Sequence, residues 1–271
     1  MPELPEVETI VRDLAKRIVG RSIVGVDVLD SLVIRNQKPR QFVRLLVGQR
    51  ILGVTRRGKA IVVALSGGQF LIVQLVMTGQ LIYEGRSLHT RLSFLLSNKE
   101  YLHYNDQRRF GRLYIVKKLE NIAFFRKLGI EPLGGRLTMG WMTTEFKRKK
   151  TMIKPLLMNQ NFIAGIGNIY ASEILFRARI HPQKLSHRLA KKEINALCQA
   201  TVGVLKEAIA LRGSSVNTYR DASGQKGSFV SRIKVYDRKN ELCVMCQTPI
   251  MRIVQAGRST FFCPRCQRKG V

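Results

Sequence analysis

Near the start of the chain, Val7, Ile10, Val11, Leu14 and Ile18 recur at helical spacing and stop before Gly20. An apolar face repeating every three to four residues predicts one amphipathic helix close to the N-terminus, with the glycine ending it. From about Ser22 to Val116 the period shortens. Runs at 23–28, 51–54, 61–65, 70–75, 92–95 and 113–116 are short, rich in β-branched residues and bounded by turn residues. They predict the strands of a β-sandwich or barrel. Helical spacing returns from Thr138 to about Leu211, broken at 164–168 and at His181-Pro182, and the Gly- and Ser-rich stretch 213–228 predicts a loop. The expected architecture is α+β in two domains. A β-sandwich with its N-terminal helix spans 1–134, a helical domain spans 135–228, and a small C-terminal module spans 229–271.

Charge changes this picture from a fold to a partner. Lys and Arg number 47 against 18 Asp and Glu, a net of +29 on 271 residues. A surplus of that size implies a polyanion, with nucleic acid ahead of an anionic membrane surface. The run Lys147-Arg148-Lys149-Lys150 adds only to the general bias. The longest apolar stretch, 61–77, is interrupted by Ser66-Gly67-Gly68-Gln69, so no segment is expected to span a bilayer. The acidic opening Met1-Pro2-Glu3-Leu4-Pro5-Glu6-Val7-Glu8 lacks the basic start and apolar run of a secretory signal. A cytosolic monomer is expected.

Four of the five cysteines form two close pairs, Cys243 with Cys246 and Cys263 with Cys266, separated by sixteen residues. Four thiolates at this spacing fit one tetrahedral structural zinc, with Cys198 left out of the site. Between the pairs, residues 250–262 alternate like two short strands with Ala256-Gly257 at the bend and Arg258 beside it. A ribbon this small depends on its metal, whose binding contributes on the order of 10 kcal/mol to folding. No organic cofactor is expected. A narrow hairpin in a basic protein suits the DNA backbone or a groove, and Arg258 is a candidate phosphate contact.

Lys154-Pro155-Leu156-Leu157-Met158 opens a helix with proline in its first turn. After 161–163, Gly165-Ile166-Gly167-Asn168 leads into a second helix. Glycines let the backbone approach a ligand, and amides at a helix start attract an anion such as a phosphate, although a simple interhelix turn capped by Asn168 gives the same pattern.

Taken together, several segments resemble the bacterial formamidopyrimidine-DNA glycosylases. They are the opening Met1 to Thr9, Arg56-Arg57-Gly58-Lys59, Met77-Thr78-Gly79, Asn105-Asp106-Gln107-Arg108-Arg109-Phe110-Gly111, residues 128–133, Ile153-Lys154-Pro155, residues 165–170 and the four-cysteine finger. The resemblance covers essentially the whole chain. It implies a bifunctional enzyme that flips an oxidised purine out of duplex DNA, excises it and cleaves the strand by elimination. The chemistry can also be argued from the residues: with Met1 removed, Pro2 presents a secondary amine that can displace a base at the sugar C1′ and open the sugar to an iminium. Glu3 and Glu6 share a helix face close to that amine. By resemblance, Glu3 moves protons at the sugar and base, Glu6 supports the site, and Lys59 lies at the catalytic centre. Glu8 is expected to be solvated.

The resemblance also implies a wedge, with Met77 filling the vacated space, Phe110 beside the estranged base and Arg108 bonded to it. Further DNA contacts implied are His89, Lys154, Gly167, Asn168, Tyr219 and Arg258, and the loop 217–227 resembles one that closes over the flipped base. The chain departs from the family at Gln74 and Val230 and around His89, where Leu88, Thr90 and Arg91 stand in place of the usual residues. Two other readings remain open here. One is an endonuclease VIII-like glycosylase for oxidised pyrimidines, whose opening usually has glycine at the position of Leu4. The other is a non-catalytic zinc-ribbon protein that binds DNA.

Overall fold

The first helix, α1 (Leu4–Ile18), begins three residues before Val7, where the apolar spacing starts. Pro5 suits a first turn, where no backbone N–H is needed, and Lys16 and Arg17 sit at the negative end of the helix dipole. The face carrying Val7, Ile10, Val11, Leu14 and Ile18 is buried. A computed structural model describes residues 1–215 and 219–269 of the chain. These divide into two compact units, Met1–Lys127 with Ala208–Val230 and Leu128–Glu207 with Ser231–Val271.

In the first unit α1 is followed by β1 (Ile23–Val28), α2 (Pro39–Leu46), β2 (Ile51–Arg57), β3 (Ala60–Leu65), β4 (Phe70–Gln74), β5 (Gly79–Tyr83), β6 (Thr90–Leu96), β7 (Tyr101–Asp106), β8 (Arg112–Val116) and a single turn, α3 (Ala123–Arg126). The strands form two antiparallel four-stranded sheets, ordered β1-β6-β7-β5 and β2-β3-β4-β8. Alternate residues of both sheets, among them Ile61, Val63, Val73, Leu92, Phe94, Tyr104 and Leu113, join the α1 face in one core. The expected sandwich with its helix is therefore present. Three of its elements lack the expected signature. Strand β7 carries His103, Asn105 and Asp106, all buried, so its polar positions do not mark a solvent face. Strand β5 opens on Gly79-Gln80, and α2 is only eight residues long with Phe42 and Leu46 as its buried pair.

The second unit contains α4 (Met139–Lys147), α5 (Ile153–Met158), α6 (Asn168–Arg177), most of α7 (Lys191–Ala210) and the hairpin β9 (Met251–Gln255) and β10 (Arg258–Phe262). Gln255 pairs with Arg258, leaving Ala256 (φ +47°) and Gly257 (φ +70°) as the two-residue turn. Two successive positive φ values match the twist of a tight hairpin. Residues 208–228, expected with the helical domain, instead cluster with the first unit, as do 229 and 230. They are bonded there by Arg212 to Asp13, by Ser214 to Glu6 and by the Tyr83 N–H to the Ala222 carbonyl. No helix among the described residues is long and apolar enough to cross a membrane.

Candidate active site

Glu3 is the residue before α1, with extended backbone, and its N–H donates to Glu6 Oε2 at 2.8 Å. Both carboxylates are almost fully buried, Glu3 at 3% exposure and Glu6 at 2%. Glu6 Oε1 accepts the Ser214 N–H at 2.7 Å and the Ser214 hydroxyl at 3.2 Å. Gly213 passes alongside at φ +79°, and a Cβ there would stand 2.7 Å from Glu6 Oε1, so the approach requires glycine. Tyr219 is buried, and its hydroxyl donates to the Glu6 carbonyl at 3.4 Å. Burial, and then the charge of Glu6, push its phenol well above the usual range. Of the loop 217–227, Asn217 and its neighbours 216 and 218 lie outside the described residues. Glu8 is not solvated alone: it accepts from Arg56 Nε at 3.0 Å and from Arg12 Nε at 2.8 Å, linking α1 to β2.

Gly58 and Lys59 form the turn between β2 and β3. Pro2 is buried, and the ammonium of Met1 before it is pulled below its ordinary value by burial, with Glu3 and Glu6 acting to raise it and Lys59 to lower it. The Met1 nitrogen, one residue from Pro2, thus shares one electrostatic environment with two carboxylates and a lysine. Groups able to hold and move protons around an amine are what covalent catalysis requires.

Met77, Arg108 and Phe110 are brought together by a buried carboxylate that spacing along the chain does not reveal. Asp106, with no exposed surface, accepts the Thr78 hydroxyl at 2.5 Å on Oδ1 and, on Oδ2, the Gly111 N–H at 2.7 Å and the Tyr104 hydroxyl at 3.3 Å. Thr78 in turn accepts the Arg108 N–H at 3.0 Å. One carboxylate therefore fixes both the turn bearing Met77 and the turn bearing Arg108 and Phe110. All three side chains are exposed, and Arg108 Nη1 lies 3.4 Å from the Met77 sulfur. The position of Asp106 inside the 105–111 motif, and of Thr78 directly after Met77, is the signal that could have identified it. His89 is exposed on the loop before β6, and its carbonyl accepts the Asp106 N–H. Arg91 donates to the Asp106 carbonyl and stands 3.8 Å from Asp30, while Gln74 is half-buried at the end of β4.

In the second unit, Lys154 is 1% exposed. Its ammonium donates to Asn168 Oδ1 at 2.6 Å, to the Ser259 carbonyl at 3.1 Å and to Thr260 Oγ1 at 2.8 Å. Asn168 Nδ2 also donates to the Ser259 carbonyl. The cap of α6 is Gly167 and Asn168 is the first helical residue, so the Asn168 side chain joins α5 to the hairpin and leaves the helix start to its backbone amides. Arg258 is exposed beside a cavity of about 250 Å³ lined also by Lys154, Asn159 and Gln255. Within α6, Glu173 accepts the N–H groups of Lys234, Val235 and Tyr236 and so anchors the segment leading into the finger.

The Sγ atoms of Cys243, Cys246, Cys263 and Cys266 all lie within 4.8 Å of one another. Four sulfurs about 2.3 Å from a shared tetrahedral zinc are roughly 3.8 Å apart, so the four thiols are clustered closely enough to share one ion. Cys198 is on α7, with its thiol donating to the Leu137 carbonyl at 3.4 Å, and does not belong to this cluster.

Comparison with known proteins agrees with this geometry part by part. Residues 1–113 match the formamidopyrimidine-DNA glycosylase N-terminal domain, 128–220 the H2TH domain of the same enzymes, and 240–268 the zinc finger found in FPG and IleRS. The formamidopyrimidine-DNA glycosylase of Pelotomaculum thermopropionicum is 41% identical over 99% of both chains, and that of Chloroflexus aurantiacus is 42% identical over 98% of both. The crystal structure of MutM (Fpg) from Thermus thermophilus superimposes with a TM-score of 0.90 at 39% identity, covering 100% of each chain. A complex of Lactococcus lactis Fpg with DNA containing an abasic site gives 0.91 at 34% identity, covering 98% of this chain and 100% of that one. The chain belongs to the formamidopyrimidine-DNA glycosylase family of DNA-repair enzymes.

Proposed function

We propose that this chain removes oxidised purines, 8-oxoguanine and formamidopyrimidines, from duplex DNA and then cleaves the strand, using Pro2 as nucleophile once Met1 has been removed. The observation that carries this reading is the position of buried Pro2 beside Glu3, whose N–H is held by Glu6, with the neighbouring Met1 ammonium acted on by Glu3, Glu6 and Lys59. The free Pro2 amine attacks C1′, the bonds from C1′ to the base and to the ring oxygen break, and the amine's own proton together with one from Glu3 protonates the departing base and the opening sugar oxygen. The resulting iminium acidifies the C2′ hydrogen, so loss of that proton expels the 3′ phosphate, and a second elimination expels the 5′ phosphate. Lys59, in the turn beside the amine, is placed to stabilise developing negative charge.

Flipping the base costs a few kcal/mol in lost stacking and pairing. Met77, Arg108 and Phe110 compensate by filling the gap and bonding the orphaned partner. Tyr219 and His89 border this work, Tyr219 through the Glu6 carbonyl. The α6 amides beginning at Gly167 and Asn168, together with Arg258, take backbone phosphates. Lys154 contributes by holding Asn168 and the hairpin in register. The protein acts as a monomer in the compartment that holds the DNA, the bacterial cytosol.

An incision assay tests this directly. Duplex with a single 8-oxoguanine should be cut at the lesion with phosphate on both new ends. Cutting of thymine glycol duplex in preference would favour the endonuclease VIII-like reading, and binding without cutting would leave only a DNA-binding protein.

A further inference from the structure

Arg212 follows α7 in the left-handed region, φ +60°, unusual for a residue with a side chain. Its Nη2 donates to Asp13 Oδ2 on α1 and to Asp221 Oδ2, each at 2.5 Å, and its Nε donates to the same Asp221 oxygen at 3.0 Å. The Asp221 side chain has no exposed surface, and its other oxygen accepts the N–H groups of Ser223 at 2.9 Å and Gln225 at 2.8 Å. One guanidinium thus joins the first helix to a carboxylate that organises the turn at 221–225. The forked, permanently charged group suits two carboxylates better than an ammonium would. Removing it would leave Asp221 buried and uncompensated.

The clamp lies two residues from the catalytic turn. Ser214 reaches Glu6 Oε1 through both its N–H and its hydroxyl, and Asp13 stands seven residues, or two helical turns, beyond Glu6 on the same face of α1. Arg212 and Ser214 therefore grip one face of one helix at two points, with Gly213 pressed against Glu6 between them. The other Glu6 oxygen takes the N–H of Glu3, the residue bonded to Pro2. We propose that Arg212 is a positioning residue for the reaction: by clamping Asp13 and Asp221 it holds Ser214 on Glu6, and so fixes the Pro2–Glu3 turn that presents the nucleophile. This rests on Pro2 being the attacking amine. A merely loop-ordering role for Arg212 would affect recognition of the damaged base and leave the amine alone.

The two roles separate on a substrate with no base to recognise. Wild-type protein, Arg212→Met, Arg212→Lys and Asp13→Asn are compared by the single-turnover rate of borohydride trapping on duplex with a pre-formed abasic site. Excision of 8-oxoguanine and thermal melting are followed alongside. Arg212→Met should slow trapping and excision together by roughly tenfold or more, the scale of a small misplacement of reacting groups. Arg212→Lys should recover part of that loss, and Asp13→Asn should fall between. Normal trapping by folded Arg212→Met, including the case where only excision suffers, overturns the proposal. If Arg212→Met does not fold, Asp13→Asn decides on the same readout, and normal trapping by it overturns the proposal equally. Absence of any adduct with the wild-type chain removes the Pro2 reading, and the clamp with it, a failure visible in the control before any variant is compared.

Discussion

Arg108 lays its guanidinium over the ring of Phe110, 4.6 Å from the centroid. The Met77 sulfur lies 3.4 Å from Arg108 Nη1, so the three side chains form one cluster. An exposed cation–π contact contributes only about 0.5–1 kcal/mol, so the cluster is ordered yet easily parted by a better partner. The carbonyl and ring nitrogen on the pairing edge of an orphaned cytosine are such a partner, being pure acceptors for a donor-only guanidinium, whereas adenine presents a mixed edge. Excision of 8-oxoguanine should accordingly be faster opposite cytosine than opposite adenine, and Arg108→Ala should shrink that ratio. Equal single-turnover rates on the two duplexes, or a preference that survives Arg108→Ala, would rule out this role.

The frame behind the wedge makes a stability prediction. A Cβ on Gly111 would fall 1.5 Å from the Tyr104 hydroxyl, and Tyr104 is fully buried. Gly111→Ala should lower stability by about 1–3 kcal/mol, the range for overpacking a close-fitted site. Adding Tyr104→Phe removes the obstructing oxygen and should restore part of the melting temperature. Unchanged melting of Gly111→Ala would contradict the close approach.

What the sequence discloses here depends on how local each device is. The α1 face, the cysteine pairs and the hairpin turn all repeat within a few residues, so spacing alone marks them. Asp106 and His103 defeat the same reasoning because buried polar residues interrupt the alternation that announces a strand. Arg212 and Asp13 are 199 residues apart, and Arg56 and Glu8 are 48, so no period along the chain pairs them. For the same reason the segment 208–228 reads as an appendage of the helical domain, although its partners Glu6, Asp13 and Tyr83 belong to the first unit. Lys59 is singled out only through resemblance, since a lysine in a turn is ordinary.

Metal content separates the four clustered cysteines from the fifth. Cys198→Ser should retain about one zinc per chain, whereas Cys263→Ser should lose it and unfold the finger, since the free energy of metal binding is also the free energy of folding the module. Elemental analysis of purified variants checks this. Zinc lost with Cys198→Ser would contradict the assignment.

Acid stability has a sign set by His103, which is buried, stacks on Tyr101 with ring centroids 5.5 Å apart and places Nδ1 2.9 Å from Ser93 Oγ. Burial pulls its imidazole below the ordinary 6.5. A histidine depressed in the folded state contributes stability that is complete above its unfolded value and is lost as pH falls through the folded one. Melting temperature should therefore drop as pH is lowered below 6.5, and His103→Gln should flatten that slope. A variant running parallel to wild type from neutral to acid pH would show that His103 carries no such linkage.

Borohydride trapping with peptide mapping reaches the nucleophile itself. Added during reaction with duplex containing 8-oxoguanine, borohydride should reduce the transient iminium and leave a stable adduct on Pro2 of a chain lacking Met1. While Met1 remains, the Pro2 nitrogen is acylated and cannot attack, so blocking its removal should abolish adduct and excision and leave melting and zinc content unchanged. Lys59, the other amine in the site, is the alternative acceptor. Adduct mapped to Lys59, or full trapping with Met1 retained, would contradict the mechanism.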